Sequence, residues 1–493
     1  MDALTLERWQ FGITTVYHFI FVPLTIGLAP LIALLQTFWV KTGKEEWYRL
    51  TRFFGKLFLI NFALGIVTGI VQEFQFGMTF SEYARYVGDI FGAPLAMEAL
   101  SAFFIESTFL GVWIFGWGRL NRGVHLASIW LVAFATNLSA YYILAANSFM
   151  QYPKGAVINP VTGRAEMTSL KDMLFSELSL STFWHTISTA FVVAGTFMAG
   201  IAIWWVVRAT RAQDESRAQV YRKGATVGLV ALVLAGVSLI FSGHNQAVVM
   251  TRLQPAKMAA AEGLCVTPPA GEGAPFTVAA LGDCKPGQGD ESMSRMVQIP
   301  GLFSFMAKLD AKAPIPGTDK IRAEFAEAFP QLEADVIPPV MPTFWSFRLM
   351  MGFGVFSAAL ALWGLIALRG GRLSSSKALG RFAVIALPMP FIAAAFGWIF
   401  TEIGRQPWIV TPIYAELGTS PNLLVSQGNS PADVVTSTQV WITMVGLTLI
   451  YLILAVFWFL LQRRYTARGI TDDDPIPTPD DDADLTKPLT FAY

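Results

Sequence analysis

Two glutamates lie inside a stretch of sequence that is apolar enough to cross a lipid bilayer. Glu98 and Glu106 fall within residues 94–117, which contain no lysine or arginine and are as long as the about 20 apolar residues that a spanning helix needs. On one α-helix both side chains share a broad face and lie about 12 Å apart along the axis. Because a carboxylate at membrane depth is costly, the pair indicates a proton path. The alternative is two acids that bond neighbouring helices for packing specificity.

Other apolar stretches carry side chains of the types that bind haem iron. Two of the four histidines, His18 and His185, lie within predicted spans, Met350 lies in a third, and Glu402 ends a fourth. Imidazole and thioether are axial haem ligands, and a His/Met pair suits a six-coordinate electron-transfer haem. The alternatives are a hydrogen-bonded core histidine and a methionine that only fills space. These patterns alone favour a haem protein and a proton-coupled transporter equally.

The composition predicts an all-α integral membrane protein. The 493 residues are 54% hydrophobic and 14% charged, whereas soluble domains carry roughly 25% charged residues. A net charge of zero argues against a nucleic-acid partner. Hydropathy predicts about nine transmembrane helices without an internal repeat, over residues 11–39, 55–76, 94–117, 124–147, 179–207, 223–243, 343–368, 382–402 and 436–462.

Lysine and arginine in the short connections predict the orientation. They concentrate after the first, third, fifth and seventh spans, whereas the second and eighth connections offer only Arg85 and Arg405. Cytoplasmic loops carry the excess of positive charge, so the N-terminus is expected outside and the C-terminus inside. The chain then divides into spans one to six (residues 1–243), a long external loop (244–342), spans seven to nine (343–462) and an acidic, disordered cytoplasmic tail (463–493).

Two further predictions follow from this orientation. Cys265 and Cys284 both lie in the external loop, where an oxidising compartment favours a disulfide, with free thiols as the alternative. The candidate ligands and Glu98 fall near the outer face, whereas Glu106 lies deeper, at mid-membrane. Protons from the cytoplasm would therefore cross most of the membrane to reach the ligands.

The chain contains an ordered set of short motifs. They are Tyr17-His18-Phe19, Phe54-Gly55-Lys56-Leu57-Phe58, Asn61-Phe62-Ala63-Leu64-Gly65, Glu73-Phe74-Gln75-Phe76-Gly77, Tyr86-Val87-Gly88-Asp89-Ile90-Phe91-Gly92-Ala93-Pro94-Leu95, Phe104-Ile105-Glu106-Ser107-Thr108-Phe109, Asn137-Leu138-Ser139-Ala140 and Gly404-Arg405-Gln406-Pro407-Trp408 after Glu402. Together these motifs resemble subunit I of the cytochrome bd-type quinol oxidases, in its short quinol-loop form. The resemblance covers residues 3 to 462 and weakens in the external loop and the tail.

The resemblance implies three haems. His185 and Met350 match the axial ligands of a low-spin haem b that accepts electrons from quinol. His18 and Glu402 match ligands of two high-spin haems, with haem d on His18 and haem b on Glu402 in the best-known arrangement, which some members exchange. Glu98 and Glu106 match acids of the haem pocket and proton path.

The resemblance also implies a quinol site in the external loop, where Lys257 and Glu262 match the functional lysine and glutamate. Arg348 and Arg405 are expected to pair with haem propionates, because guanidinium binds carboxylate in a forked geometry; the alternative is that each satisfies an acid or a carbonyl. Trp398 is expected to pack on a haem face or to lie at the lipid interface.

The implied function is that of a terminal respiratory oxidase in a bacterial cell membrane. Quinol is oxidised at the outer face and O2 is reduced to water with protons from the cytoplasm, so the enzyme is electrogenic without a pump. Partners implied are a second large subunit and a small single-helix subunit, beside membrane lipid. A proton-coupled transporter and a haem-anchoring subunit that only passes electrons onward are the rivals. These residues leave two alternatives open: the quinol is ubiquinol or menaquinol, and the third haem is haem d or another haem b.

Overall fold

Long helices dominate the computed structural model, which describes residues 2–431 and 434–470. Within these ranges nine helical segments are long and apolar enough to cross a membrane, which confirms the predicted all-α membrane class. They begin and end at Ala3–Thr42, Glu45–Met78, Ser81–Phe115, Arg122–Gln151, Leu170–Arg211, Glu215–Leu253, Val340–Gly371, Lys377–Ile403 and Ser437–Arg468.

Several of these segments consist of more than one helix. In chain order the helices are α1 (Ala3–Thr42), α2 (Glu45–Met78), α3 (Ser81–Met97), α4 (Phe104–Phe115), α5 (Arg122–Gln151), α6 (Leu170–Leu174), α7 (Glu177–Arg211), α8 (Glu215–Leu253), α9 (Pro255–Glu262), α10 (Leu302–Lys308), α11 (Thr318–Ala328), α12 (Val340–Leu368), α13 (Lys377–Ala386), α14 (Met389–Ile403), α15 (Val425–Gly428) and α16 (Ser437–Arg468).

The third span differs from the straight helix that the sequence predicts over residues 94–117. It begins at Ser81, and Glu98–Phe103 form a π-helix between α3 and α4. A π-helix has wider turns than an α-helix and occurs frequently at functional sites. The axial separation expected for Glu98 and Glu106 on a regular α-helix therefore does not apply, although both side chains still reach one cavity.

Alternating helix directions place five connecting segments at one end of the bundle, here termed the loop end. They are the start of the described chain at Asp2, residues 79–80, 152–176 and 254–339, and residues 404–431 with 434–436. Contacts between them hold this end together: Thr411 N donates to Met150 O at 2.8 Å, and Lys154 pairs with Glu416 at 2.7 Å. The loop end corresponds to the predicted outer face, and its sidedness stays a prediction.

The long loop between the sixth and seventh spans is a small folded unit. It contains α9, α10, α11 and an antiparallel hairpin of β3 (Phe276–Gly282) and β4 (Met293–Ile299). Two further short hairpins at this end pair β1 (Ala156–Ile158) with β2 (Ala165–Met167) and β5 (Trp408–Val410) with β6 (Leu423–Leu424). Cys265 and Cys284 form a disulfide, which confirms that prediction.

Small residues let α7 pack against its neighbours almost along its whole length. A Cβ added at Gly228 of α8 would lie 2.6 Å from the backbone nitrogen of Ala199, and one at Gly27 of α1 would lie 2.2 Å from the carbonyl oxygen of Ala190. Close backbone approach of this kind is how helices associate in lipid, where little hydrophobic driving force acts between them. We term this part of the bundle, α7 with α8 and the half of α1 away from the loop end, the close-packed side.

The last helix, α16, continues through Arg468, past the predicted end of the ninth span. Ile470 N then donates to the Tyr221 hydroxyl at 2.7 Å, at the end of the bundle opposite to the loop end. The rest of the predicted acidic tail, residues 471–493, lies outside the described residues.

Candidate functional site

A cavity of about 1020 Å³ opens between α1, α2, α3, the π-helix, α5 and α14. Its volume lies at the upper end of the about 300–1,000 Å³ of ligand pockets. Most of the lining is apolar, and the polar exceptions include six of the residues singled out in the sequence: His18, Glu98, Glu106, Trp398, Glu402 and Arg405. The part of the bundle around this cavity is termed the cavity side.

His18 is held so that its Nε2 atom can bind a metal. Its Nδ1 lies 2.9 Å from Thr68 Oγ1, and that hydroxyl donates to the carbonyl of Leu64 at 2.9 Å. Because the hydroxyl hydrogen is used there, Thr68 accepts the Nδ1–H of His18, and this tautomer leaves a lone pair on Nε2. A partner on the second ring nitrogen is the usual arrangement for a metal-binding histidine. Gly69 leaves space beside the ring, since a Cβ there would lie 3.2 Å from Cε1.

His185, on α7, is held in the same way by a hydroxyl group on α8. Its Nδ1 lies 3.3 Å from Ser242 Oγ, which donates to the carbonyl of Leu239 at 3.3 Å. Gly243 follows, and a Cβ there would lie 3.4 Å from His185 Cε1. Each candidate histidine therefore faces a hydroxyl residue followed by glycine on the neighbouring helix, Thr68-Gly69 or Ser242-Gly243. This repeated pair is a sequence signal that the sequence analysis missed.

Met350 lies on α12, which contacts both α7 and α14. A Cβ at Gly397 of α14 would lie 3.0 Å from the Met350 sulfur, so glycine again stands beside a candidate ligand. His185 and Met350 lie outside the lining of the large cavity, whereas His18 and Glu402 are part of it. The structure thus separates the predicted low-spin pair from the two predicted high-spin ligands.

Glu402, at the end of α14, has a partner on each carboxylate oxygen. Arg405 donates to Oε2 from its Nε at 3.1 Å and also from Nη2, while its Nη1 donates to the carbonyl of Ile409 at 2.6 Å. Asn147 of α5 donates to Oε1 at 3.0 Å. Arg405 here satisfies an acid and a carbonyl, and its pairing with a propionate stays a prediction.

The two acids of the third span both line the cavity, but one lies in the π-helix and the other in an α-helix. Glu98, at the start of the π-helix, accepts a hydrogen bond from Ser139 Oγ at 2.7 Å. Glu106, on α4, is buried at 7% exposure and lines the same cavity. Two carboxylates on the wall of one apolar cavity are groups that can take up and release protons there.

Trp398 lies on the cavity wall one turn before Glu402. Its ring stacks on Phe19 with 4.7 Å between ring centroids. Its buried indole N–H has no hydrogen-bond partner among the described residues, although buried indole groups usually find one. A polar group on a ligand in the cavity would satisfy it.

Arg348 and Glu262 form a buried ion pair at the base of the long loop. Arg348 Nη2 lies 2.7 Å from Glu262 Oε2, and their side chains are 7% and 1% exposed. The guanidinium also donates to the carbonyls of Ala261, at 2.7 Å, and Thr277. Burial raises the pKa of Glu262 to about 7, although Arg348 opposes this change. The expected pairing of Arg348 with a propionate stays a prediction.

Lys257, on α9, is fully enclosed at 1% exposure. Its Nζ donates to Gln151 Oε1 and lies 3.3 Å from the carbonyl of Thr401. Burial, with a smaller contribution from the nearby Arg405, lowers the pKa of Lys257 to about 7. Lys257 and Glu262 are thus buried groups with pKa values near neutrality, which is typical of functional sites.

The donor set fits haem better than a metal ion held by side chains alone. Among residues 2–431 and 434–470, no three His, Cys, Asp or Glu side chains cluster as an ion site would require. Haem iron needs only one or two axial ligands from the protein. One histidine and one carboxylate on a largely apolar cavity, with an unsatisfied indole N–H nearby, satisfy that requirement.

The apolar spans of the described residues and this cavity define a multi-pass membrane protein with a site suited to haem. The family model for cytochrome bd terminal oxidase subunit I matches residues 6–470, and the chain belongs to this family. It is 38% identical over 474 residues to a cytochrome bd ubiquinol oxidase subunit 1 of Bacillus subtilis, covering 96% of each chain. It is 37% identical to a cytochrome bd-II ubiquinol oxidase subunit 1 of Escherichia coli, covering 95% of this chain and 97% of that one.

A solved structure shares the fold. The bd oxidase of Geobacillus thermodenitrificans superposes with a TM-score of 0.78 over 95% of this chain and 99% of its own, at 23% identity. The family assignment and the nine apolar helices identify a multi-pass protein of a bacterial membrane. The resemblance recognised from the sequence motifs is thereby confirmed.

Proposed function

We propose that this chain is the haem-bearing subunit of a terminal quinol oxidase, which oxidises membrane quinol and reduces O2 to water. The observation that carries the proposal is the cavity that His18 and Glu402 share with Glu98 and Glu106. Ligands for iron and acids for protons are both needed where O2 is reduced. The family assignment supports the same activity, because the relatives in two bacteria are named ubiquinol oxidase subunits.

Three haem positions are proposed from the ligand candidates. His185 and Met350 hold a low-spin haem b, Glu402 a high-spin haem b, and His18 a haem d; these haems, when bound, supply electron transfer and oxygen reduction. Thr68 and Ser242 fix the tautomers of the two histidines. Trp398 closes one wall of the cavity and offers its indole N–H to a bound group.

Quinol is proposed to be oxidised at the loop end, next to Lys257 and Glu262. Oxidation of a quinol releases two protons, and groups with pKa values near 7 can take up and release protons at neutral pH. Both pKa values are moved to about 7 by burial. The protons then leave at the outer face.

Protons for O2 reduction are proposed to come from the cytoplasm through Glu106 and then Glu98. Each charge that crosses the field is worth about 2.3 kcal/mol per 100 mV, so the oxidase conserves energy without a separate pump. To function, the chain is proposed to assemble with a second large subunit and a small single-helix subunit. Their contacts would use faces that are exposed here, such as α16, whose apolar window is 11% buried.

A visible spectrum and an oxygen electrode test the proposal. The purified complex is expected to show haem bands and quinol-dependent oxygen uptake, and His185→Ala is expected to lose the low-spin haem spectrum. A colourless complex would instead favour the alternative, a proton-coupled transporter.

The proton path has its own test in liposomes. Glu106→Gln is expected to slow both oxygen reduction and charge movement, while Glu82→Gln, a partly exposed acid paired with Arg85, serves as the matched control. Unchanged rates in Glu106→Gln would remove Glu106 from the path.

A further inference from the structure

Four side chains form a continuous hydrogen-bonded chain from the long loop to the cavity. Lys257 Nζ, on α9, donates to Gln151 Oε1. Gln151 Nε2 donates to Asn147 Oδ1 at 3.0 Å, and Asn147 Nδ2 donates to Glu402 Oε1 at 3.0 Å. The chain, termed here the amide relay, joins a candidate quinol residue to a candidate iron ligand.

The chemistry of the two ends fixes the direction of the relay. An ammonium group only donates hydrogen bonds, and a carboxylate only accepts them. Side-chain amides carry one acceptor end and one donor end, and their orientation is assigned from the network around them. Gln151 must present its oxygen to Lys257, so its nitrogen faces Asn147, whose nitrogen then faces Glu402. Every donor in the relay points away from the lysine.

Helix geometry and burial both favour the hydrogen bonds of the amide relay. Asn147 and Gln151 are four residues apart on α5, so both side chains project from one face. Gln151 and Lys257 are each 1% exposed. A buried polar group that loses its partner costs about 1–3 kcal/mol, which disfavours structures in which the relay is broken. The backbone of Gln151 is also tied to the loop, because Gln254 Nε2 donates to its carbonyl at 2.5 Å.

Glu402 therefore receives two different hydrogen bonds. Arg405, three residues on, supplies a local one to Oε2, while the relay supplies the one to Oε1. A donor on a ligating carboxylate withdraws electron density from it and makes it a weaker anionic ligand. Hydrogen-bond partners of metal ligands tune the properties of the metal.

We propose that Asn147 and Gln151 are positioning residues that transmit the charge and position of Lys257 to the carboxylate of Glu402. This inference rests on the proposed function, since it takes Glu402 as a haem ligand and Lys257 as part of the quinol site. A change at the quinol site would thereby alter the midpoint potential and absorbance of the haem on Glu402 without a direct contact between the two sites.

Potentiometric titration of the haem bands tests the relay apart from activity. Gln151→Leu, Asn147→Leu and Lys257→Met are expected to keep the haem content and to lower the midpoint potential of the haem on Glu402, because each strengthens the anionic character of the carboxylate. Lys257→Met added to Gln151→Leu is expected to give no further shift, since the relay is already broken. Gln151→Met is a second variant if Gln151→Leu does not accumulate.

Ser148→Ala is the matched control for these variants. Ser148 lies between the two amides on α5, is fully buried, and its hydroxyl has no hydrogen-bond partner among the described residues. Its replacement is expected to leave the midpoint potential unchanged.

A binding experiment supplies the second readout. A short-chain ubiquinone or menaquinone analogue added to the oxidised wild-type complex is expected to change the absorbance of the haem on Glu402, and Gln151→Leu is expected to lose that response. Wild-type potentials and responses in the haem-loaded Gln151 and Asn147 variants would overturn the relay while leaving the proposed function intact. A wild-type complex without haem would overturn both.

Discussion

The close-packed side and the cavity side of the bundle are built from the same types of apolar residue but differ in how tightly their helices pack. In the apolar window of the fifth span 89% of the residues are buried, against 17% in that of the third span. Glycine occurs at critical positions on both sides. Gly228 lets α8 touch the backbone of α7, whereas Gly69 leaves a space beside the ring of His18.

This difference separates two roles of a small residue in a membrane protein. Where a glycine faces the backbone of another helix, its missing side chain brings the helices together and stabilises the fold. Where it faces a polar side chain on a cavity wall, the missing side chain makes room for a ligand. Variants on the close-packed side should therefore change stability, and variants on the cavity side should change haem content.

The largest effect is expected from Gly228→Val on the close-packed side. A Cβ there would lie 2.6 Å from a backbone nitrogen and 3.0 Å from the Cα of Ala199, which no rotamer can relieve. We expect a loss of about 1–3 kcal/mol or more and less folded complex, measured by yield and by thermal unfolding in detergent. Gly236→Val, in the same helix with nothing within 4 Å of its Cβ, should behave like the wild type. Equal yields of the two variants would contradict the close packing.

On the cavity side, His18→Ala is expected to remove one haem equivalent and to leave the fold intact. The side chain lines a cavity and contributes little packing, so thermal unfolding should change much less than in Gly228→Val. Haem extraction and quantification measure the loss. Gly69→Val should lower haem occupancy in the same way without removing a ligand, because its Cβ would crowd the ring at 3.2 Å.

Gly77→Val supplies the control for the crowding variant. It lies in α2 as Gly69 does, and nothing lies within 4 Å of its Cβ. Full haem content in His18→Ala would refute the assignment of this histidine.

His125 sharpens the comparison, because it is a buried histidine whose ring is committed to packing. Its Nδ1 lies 2.9 Å from Gln36 Nε2, and its Nε2 lies 2.9 Å from the carbonyl oxygen of Trp113. His125→Ala should cost about 1–3 kcal/mol for each buried group that loses its partner, and haem per folded complex should stay the same. Calorimetry together with haem content checks both halves; a missing haem would place His125 among the ligands.

The smallest expected effect is a pH-dependent stability difference at the long loop, where Lys257 is buried. Burial lowers the pKa of Lys257 to about 7 from its usual value of 10.5. Between these values the unfolded chain binds more protons than the folded one, so stability rises with pH. The Tm of Lys257→Met should therefore exceed that of the wild type most at about pH 6.5, and the difference should shrink toward about pH 9. Lys154→Met, an exposed lysine, is the control.

The test depends on how the Tm difference between Lys257→Met and the wild type changes with pH, more than on the size of that difference. A Tm difference that stays constant between these pH values would show that Lys257 keeps its charge in the folded protein. For Glu262→Gln, the Tm difference from the wild type should change with pH in the opposite direction and grow as pH rises. Its raised pKa gives stability that is lost as pH rises toward 7.

Much of the fold and part of the site could be predicted from the sequence. The nine spans follow from hydropathy, and the disulfide follows from two cysteines in one loop. His18 and Glu402 could be placed near one level because each lies at a known distance from the end of its span. Asn147 and Gln151 were missed, although two polar residues four apart near the end of an apolar helix are a readable signal.

The sequence by itself determined the class of the protein and the number of spans found among the described residues, and it supplied the candidates for holding iron. It could do so because lipid imposes a fixed length of apolar helix wherever the chain crosses it. Only the tertiary structure decided the π-helix at Glu98, the pairing of Arg348 with Glu262 and the relay from Lys257 to Glu402. These depend on how each helix is rotated and tilted against its neighbours, which side-chain packing sets and the length of an apolar stretch does not.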